Sequence, residues 1–324
     1  MIRRTIRARA ALKTRSERTV IFDGTDKMCA DRYGFKTAGG RTFSHLVMAV
    51  PETNTIFPDV WFAAHLPAIY KTVLVNKSGD VYTWDVKTGA TATDVTLGTV
   101  KPFSIACNRD GVSTYIVYGG NKACLIKYNS IATRSVNYKL YCGDLHHGRA
   151  FVNDNTDRYL VHWSDTDLTS MQLGIDKGGN IRLNPEGGEV MGIFSFGEKL
   201  IILRKTCLAV MHAFGDPRDF SLEQSKLFTL PTVLPYTSVV CGGKLWFFTA
   251  DGLFYYDGSN LTRKPLPDFF KGYQVEEATA VGGRYVYYTL MKDNEYCVLE
   301  YDTAEDSFTR IADYCRRSKT ARRR

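Results

Sequence analysis

The sequence predicts an all-β fold, and three observations predict it. Runs of four to seven aromatic and aliphatic residues recur along most of the 324-residue chain, separated by Gly, Asp, Asn and Thr. Tyr and Phe are abundant, at 19 and 18, which suits pleated surfaces where flat rings pack. No helical periodicity of ten or more residues intervenes, which excludes alternating strand–helix units.

The clearest stretch is Val239 to Leu266. Its runs Lys244 to Thr249 and Leu253 to Tyr256 are joined at Asp251-Gly252 and followed by Asp257-Gly258. Asp-Gly between two apolar runs predicts a hairpin with a type I′ turn, because Gly accepts positive φ at little cost. Related strand endings, an aromatic residue followed by Asp or Asn and a turn, occur in VYTWDVKTG, LIKYNSIAT, LFYYDGSN and VLEYDTAED, with weaker copies in YLVHWSDTD and LAVMHAFGD. The aromatic or equivalent position falls at 84, 128, 163, 212, 256 and 301, in steps of 44, 35, 49, 44 and 45.

A second marker, a glycine turn before a run of large apolar residues, precedes these endings at Asp110, His147, Gly197, Gly242 and Gly282. Two markers in fixed order, roughly 40 to 45 residues apart, match four-stranded propeller blades. The expected architecture is a β-propeller of five to six four-stranded blades with extended basic N- and C-terminal tails. In it the aromatic wedges between blades, and the following Asp or Asn accepts from the backbone to start a turn. The expected organisation is a basic arm over 1–18, a propeller body over 19–315 with an irregular or divergent first blade over 19–65, and a basic tail over 316–324. A strand at Thr19 to Phe22 is expected to complete the last blade.

Charge is unevenly distributed. Residues 1–18 carry seven Lys or Arg against Glu17, and residues 316–324 carry six with no acid, so of the net charge of +8 the ends contribute +12 and the body about −4. Arms of this kind suit phosphate backbones or acidic protein surfaces, through counterion release or direct pairing. The candidate partner or DNA contacts are therefore Arg3, Arg4, Arg7, Arg9, Lys13, Arg15, Arg18, Arg316, Arg317, Lys319, Arg322, Arg323 and Arg324. They carry no interleaved aromatics for base stacking, so any DNA contact would be to the backbone and non-specific.

No apolar stretch after the N-terminal charges resembles a secretory signal, and the longest apolar region, Ile56 to Val75, is too broken to span a bilayer. The eight cysteines form no CxxC pair and are expected as reduced thiols; Cys124, Cys241 and Cys297 fall in or beside strand runs as small buried hydrophobes.

The acidic, His and Cys residues follow no catalytic or metal-binding spacing. Cys142, His146, His147 and His162 fit no zinc spacing, and the adjacent histidines are expected on an exposed loop. Asp154, Asp157, Asp165 and Asp167 read as turn residues, not as a calcium loop. Glu276-Glu277 offers two carboxylates, expected as exposed acids at a blade start. Sialidase repeats, WD40 partners, P-loops and nucleophile elbows are not found. The expectation is a protein with no cofactor, no metal and no catalytic role.

The segments GGKLWFFTADGLFYYDGSNLTRKPLPDFF and GGRYVYYTLMKDNEYCVLEYDTAEDSFTRI resemble blades of tailed-bacteriophage propellers of the tail-nozzle and packaged-DNA-stabilisation class. The resemblance covers residues 190 to 311. It implies a structural virion protein, made in the host cytoplasm, that forms a symmetric ring with itself at the DNA exit path beside an adaptor, portal or tail fibre. A glycan-binding or glycan-cleaving propeller is the alternative expectation, and a cellular protein-interaction propeller is the third.

Overall fold

A computed structural model describes residues 4–8, 18–22, 60–66, 71–85, 89–109, 112–127, 130–166, 178–223, 228–281, 283–293 and 295–315. The described residues from 60 to 233 belong to one compact unit, and those from 234 to 315, with two N-terminal strands, to another.

The first unit contains three sheets, each an antiparallel run of strands in chain order. Sheet one is β3(Val60–Leu66), β4(Lys71–Asn76), β5(Asp80–Asp85) and β6(Gly89–Thr96). Sheet two is β7(Phe103–Arg109), β8(Val112–Lys127), β9(Ser130–His146), β10(Arg149–Asp154), β11(Leu160–Trp163) and β12(Gly179–Arg182). Sheet three is β13(Val190–Phe196), β14(Lys199–Arg204) and β15(Cys207–His212), with its outer edge shared by β16(Ser221–Leu222) and β17(Phe228–Thr229).

The second unit holds sheet four, β18(Val239–Cys241), β19(Lys244–Thr249), β20(Gly252–Tyr256) and β21(Leu261–Lys264). Sheet five is β22(Gln274–Val281), β23(Tyr285–Lys292), β24(Glu295–Asp302) and β25(Ser307–Cys315). The N-terminal strands β1(Arg4–Ala8) and β2(Arg18–Phe22) pair with each other, so the strand expected at Thr19 has its partner in β1 and not in the last blade. The architecture is the all-β propeller class, with five blade sheets.

The sixth repeat marker is explained by sheet two. The short step of 35 residues, from position 128 to 163, falls within that one sheet. Long β8 shifts register between Gly120 and Lys122, pairing with β7 before the shift and with β9 over most of the remainder. Alternate residues of β8 face different cores. Ile116 and Tyr118 pack with Leu140, Ala150 and Val152, whereas Val117, Cys124 and Ile126 pack with Phe62, Val73 and Val81 of sheet one. On its far side the sheet packs Phe151, Val161 and Trp163 against Val190, Leu200 and Ile202 of sheet three. Sheets four and five share a core built on Trp246, Phe248, Tyr288, Leu299 and Tyr301.

The repeat chemistry works as its residues imply. Tyr256, Trp163 and Tyr301 are buried, while Asp257 accepts from the Ser259 and Asn260 N–H groups and Asp302 accepts from those of Ala304 and Glu305. His212, in the weakest copy, is exposed instead.

The hairpin at Asp251-Gly252 departs from expectation. Its two connecting residues are Ala250 and Asp251, between paired Thr249 and Gly252, and only Gly252 has positive φ, at 119°. The Asp251 N–H is taken by Thr249 Oγ1, which stabilises this alternative. Gly242 and Gly243, at φ 59° and 70° between paired Cys241 and Lys244, carry the type I′ signature.

Cys124, Cys207, Cys241 and Cys297 are buried, and with Cys142 they hold no disulfide. Burial pushes the Cys124 and Cys142 thiols up to about 12 and the Cys241 thiol to about 11, so they are packing groups rather than nucleophiles. No helix among the described residues is long and apolar enough to cross a membrane.

Candidate functional site

Three loops of the first unit converge around His147. The hairpin from β9 to β10 turns at His147 and Gly148, both at positive φ (45° and 78°), between paired His146 and Arg149. The turn from β13 to β14 carries Glu198 beside Gly197, whose φ of 59° allows the tight reversal. The third loop follows β15 and carries Phe214. The His147 ring meets the Phe214 ring edge to face at 4.8 Å, and His147 Nε2 lies 3.6 Å from Glu198 Oε2.

Phe214 is 67% exposed, one of two large hydrophobic side chains exposed among the described residues, the other being Tyr236 of the second unit. The Glu198 side chain is 85% exposed. An exposed aromatic ring and a projecting carboxylate on one loop cluster form a surface suited to docking, not an enclosed reaction chamber.

A rigid polar layer lies beneath. His146 is 1% exposed, and its Nδ1 lies 2.9 Å from Ser195 Oγ, within hydrogen-bond distance. Asp144 accepts from the Leu145 N–H through one carboxylate oxygen and from the Ser195 N–H through the other, each at 2.8 Å, tying β9 to β13. Arg149 donates to the Ser164 carbonyl at 2.9 Å and lies 3.7 Å from Asp165. Phe151, Trp163 and Phe220 pack at ring separations of 5.3 to 5.9 Å, and His146 sits on Phe151 at 6.1 Å.

Asp144, His146 and Ser195 do not form a nucleophile–base–acid relay. The Asp144 carboxylate is engaged by backbone N–H groups, and His146 Nε2 is buried with no hydrogen-bond partner in the structure.

The backbone at His147 is strained, because a β-carbon at positive φ costs about 1 kcal/mol. Changing His147→Asn creates Asn-Gly, the favoured type I′ pair, and is expected to raise unfolding stability by about 0.5–1 kcal/mol in urea titrations while removing the ring that contacts Phe214.

Burial, with the neighbouring His147, pushes the His146 imidazole from 6.5 down to about 4. Between those values the unfolded chain binds more protons than the folded one. The stabilisation from a neutral His146 is therefore present above pH 6.5 and is lost as pH falls toward about 4. Burial pushes the Asp144 carboxyl up, which favours the folded state as pH falls and offsets part of the loss at the acid end. His146 is expected to contribute about 2 kcal/mol to the difference between denaturation at pH 7 and pH 5, and His146→Gln is expected to reduce that difference without abolishing it, because burial also pushes the His162 imidazole down.

The other residues considered from sequence are dispersed. His162 is buried and stacked on Tyr138 at 3.9 Å, apart from any metal set, and no group of three or more His, Cys, Asp or Glu suited to a metal occurs among the described residues. His146 is buried, contrary to the exposed loop expected for both histidines, because the two-residue turn places only His147 at the tip. Asp154 and Asp157 accept from the Thr156 and Tyr159 N–H groups as turn residues, and Asp167 lies outside the described residues.

Glu276-Glu277 is not an exposed pair. A bulge between Val275 and Glu277 turns Glu277 inward to 6% exposure and half-buries Glu276. Of the basic candidates, Arg4, Arg7 and Arg18 lie on β1 and β2. Arg3, Arg9, Lys13, Arg15, Arg316, Arg317, Lys319, Arg322, Arg323 and Arg324 lie outside the described residues.

Ser195, Asp144, Glu198 and Phe214 were not singled out from sequence. The glycine turns at His147-Gly148 and Gly197-Glu198 look like ordinary hairpin tips, and Phe214 falls in the weaker strand ending LAVMHAFGD, until topology brings them together.

No family model matches the chain, and no curated protein matches it. Among solved structures it is similar to Hsv2 from Kluyveromyces lactis, with 12% identity, 80% of this chain and 88% of that chain covered, and a TM-score of 0.50. It is also similar to the β-propeller domain of Cps50 (Swd1) from Myceliophteria thermophila, with 13% identity, 76% and 82% covered, and a TM-score of 0.51. Neither is a phage tail protein, so the resemblance expected from the aromatic hairpins holds at the level of propeller architecture. At these identities the likeness is one of fold alone, and by fold the chain is a β-propeller.

Proposed function

We propose that this protein is a non-catalytic interaction propeller that docks a protein partner on the loop end carrying His147, Glu198 and Phe214. The observation that carries this reading is the exposed Phe214 ring held against a strained His147 and an exposed Glu198. Retaining a β-carbon at positive φ where Gly or Asn would relieve strain is typical of positions kept for contact and not for stability. The partly buried layer of Asp144, His146 and Ser195 holds that surface in one geometry, which reduces the entropy lost on binding.

A second reading places the chain in the ring of a tailed-bacteriophage virion at the DNA exit path. It is favoured by the paired aromatic hairpins of β19–β20 and β23–β24 and by the basic ends of the sequence. The two readings share a docking role and differ in the assembly served.

A glycan-binding array run beside a turnover assay tests the common element against the glycan alternative. The reading predicts no turnover and no saturable glycan binding by the full chain. Glycan turnover, or glycan binding abolished by Phe214→Ala, would contradict it.

A further inference from the structure

Resting on the docking reading, we infer that the Phe214 loop end receives the arginine-rich segment 316–324 of a second copy of this chain. An arginine is recognised by an aromatic face for its guanidinium and a carboxylate for its charge, and Phe214 and Glu198 supply both within one loop cluster. Of the arginines at this end, Arg149 is buried and the Arg218 side chain is 91% exposed. Arg149 is held by Ser164 and Asp165, and Arg218 lies 3.4 Å from Asp216 within its own turn. Glu198 lies 3.6 Å from His147, its one ion-pair partner among the described residues, and Asp219 is exposed on the same loop as Phe214.

Charge complementarity selects the occupant. The body carries about −4 and the two ends +12, so the chain itself supplies a concentrated cationic segment that a carboxylate-bearing loop end attracts. Residues 316–324 hold six cations in nine residues with no acid, whereas residues 1–18 spread seven over eighteen and include the paired strand β1. Head-to-tail docking of one copy's end onto the next copy's loops is heterologous, and it builds rings or open chains.

The test is photo-cross-linking of the full chain carrying Phe214→p-benzoylphenylalanine, with linked peptides mapped by mass spectrometry. The expected result is a product of dimer mass linked to residues 316–324, weakened by high salt and reduced roughly threefold by adding Glu198→Gln. Phe214→Ala is expected to weaken self-association roughly tenfold, as for a central aromatic anchor. A product of monomer mass, or a link to residues 1–18, overturns the inference. A link to the body of a second copy overturns the tail as occupant and leaves the docking reading standing. No link at all, from protein with an unchanged melting temperature, overturns both.

Discussion

Replacing Asp302 by alanine is expected to lower unfolding stability by about 2–3 kcal/mol, the range for removing a buried carboxylate that accepts several hydrogen bonds. Its side chain is 2% exposed, and the Arg284 guanidinium donates to both carboxylate oxygens at 2.8 to 3.2 Å. The Ala304 and Glu305 N–H groups donate to Oδ1 at 3.0 and 3.2 Å. Alanine would remove the acceptor of two backbone donors, while the partly exposed Arg284 guanidinium keeps solvent and Glu305, 3.1 Å away. Asp302→Asn keeps an oxygen for the turn and loses the charge, so it is expected to cost about half as much. Urea denaturation of both variants, with Arg284→Ala and the double variant, measures the coupling directly, and a loss under 1 kcal/mol for Asp302→Ala would refute this account of the blade ending.

The second large effect is expected at Arg204, which is 4% exposed and donates to the carbonyls of Gly188, at 3.0 Å, and Asn184. These carbonyls flank the 3-10 turn Pro185–Gly187, so one planar fork holds the connection into β13. Arg204→Ala is expected to cost about 3 kcal/mol, from two lost charge-assisted hydrogen bonds and the lost packing of a buried side chain. Arg204→Lys keeps the charge but cannot span both acceptors, and is expected to recover less than half. Gly187→Ala tests the same packing, since an added β-carbon would sit 2.4 Å from Cys207 Sγ and 2.6 Å from Arg204 Nη1. Thermal unfolding of the three variants checks the order, and an unchanged melting temperature for Arg204→Ala would contradict it.

The blades were legible in the sequence because their information is local. An aromatic that packs between sheets and an Asp that accepts from the next N–H groups lie adjacent in the chain, so Tyr256-Asp257 and Tyr301-Asp302 declare both strand and turn. The five glycine-turn markers likewise fall just before β8, β10, β14, β19 and β23. Counting failed to resolve five from six where β8 and β9 run long and one sheet absorbs two markers. The turn at Asp251 was misassigned because Thr249 Oγ1 supplies a competing acceptor that dipeptide preference ignores.

The candidate site was barely legible for a different reason. His147, Glu198 and Phe214 lie on three separate turns, and their proximity is a product of sheet order. Burial was misjudged at His146 and at Glu277 for a similar reason. A tight turn and a β-bulge decide which of two adjacent polar residues faces inward, and neither leaves a distinctive mark in composition.

The central claim, that the loop end docks a second copy of this chain, is tested most directly by the solution mass of the full chain from light scattering at low and high salt, beside Phe214→Ala. The account predicts a mass well above the 36.5 kDa of one chain at low salt, falling toward it at high salt and in the variant. A mass of one chain under every condition, with wild type and variant alike, would contradict it.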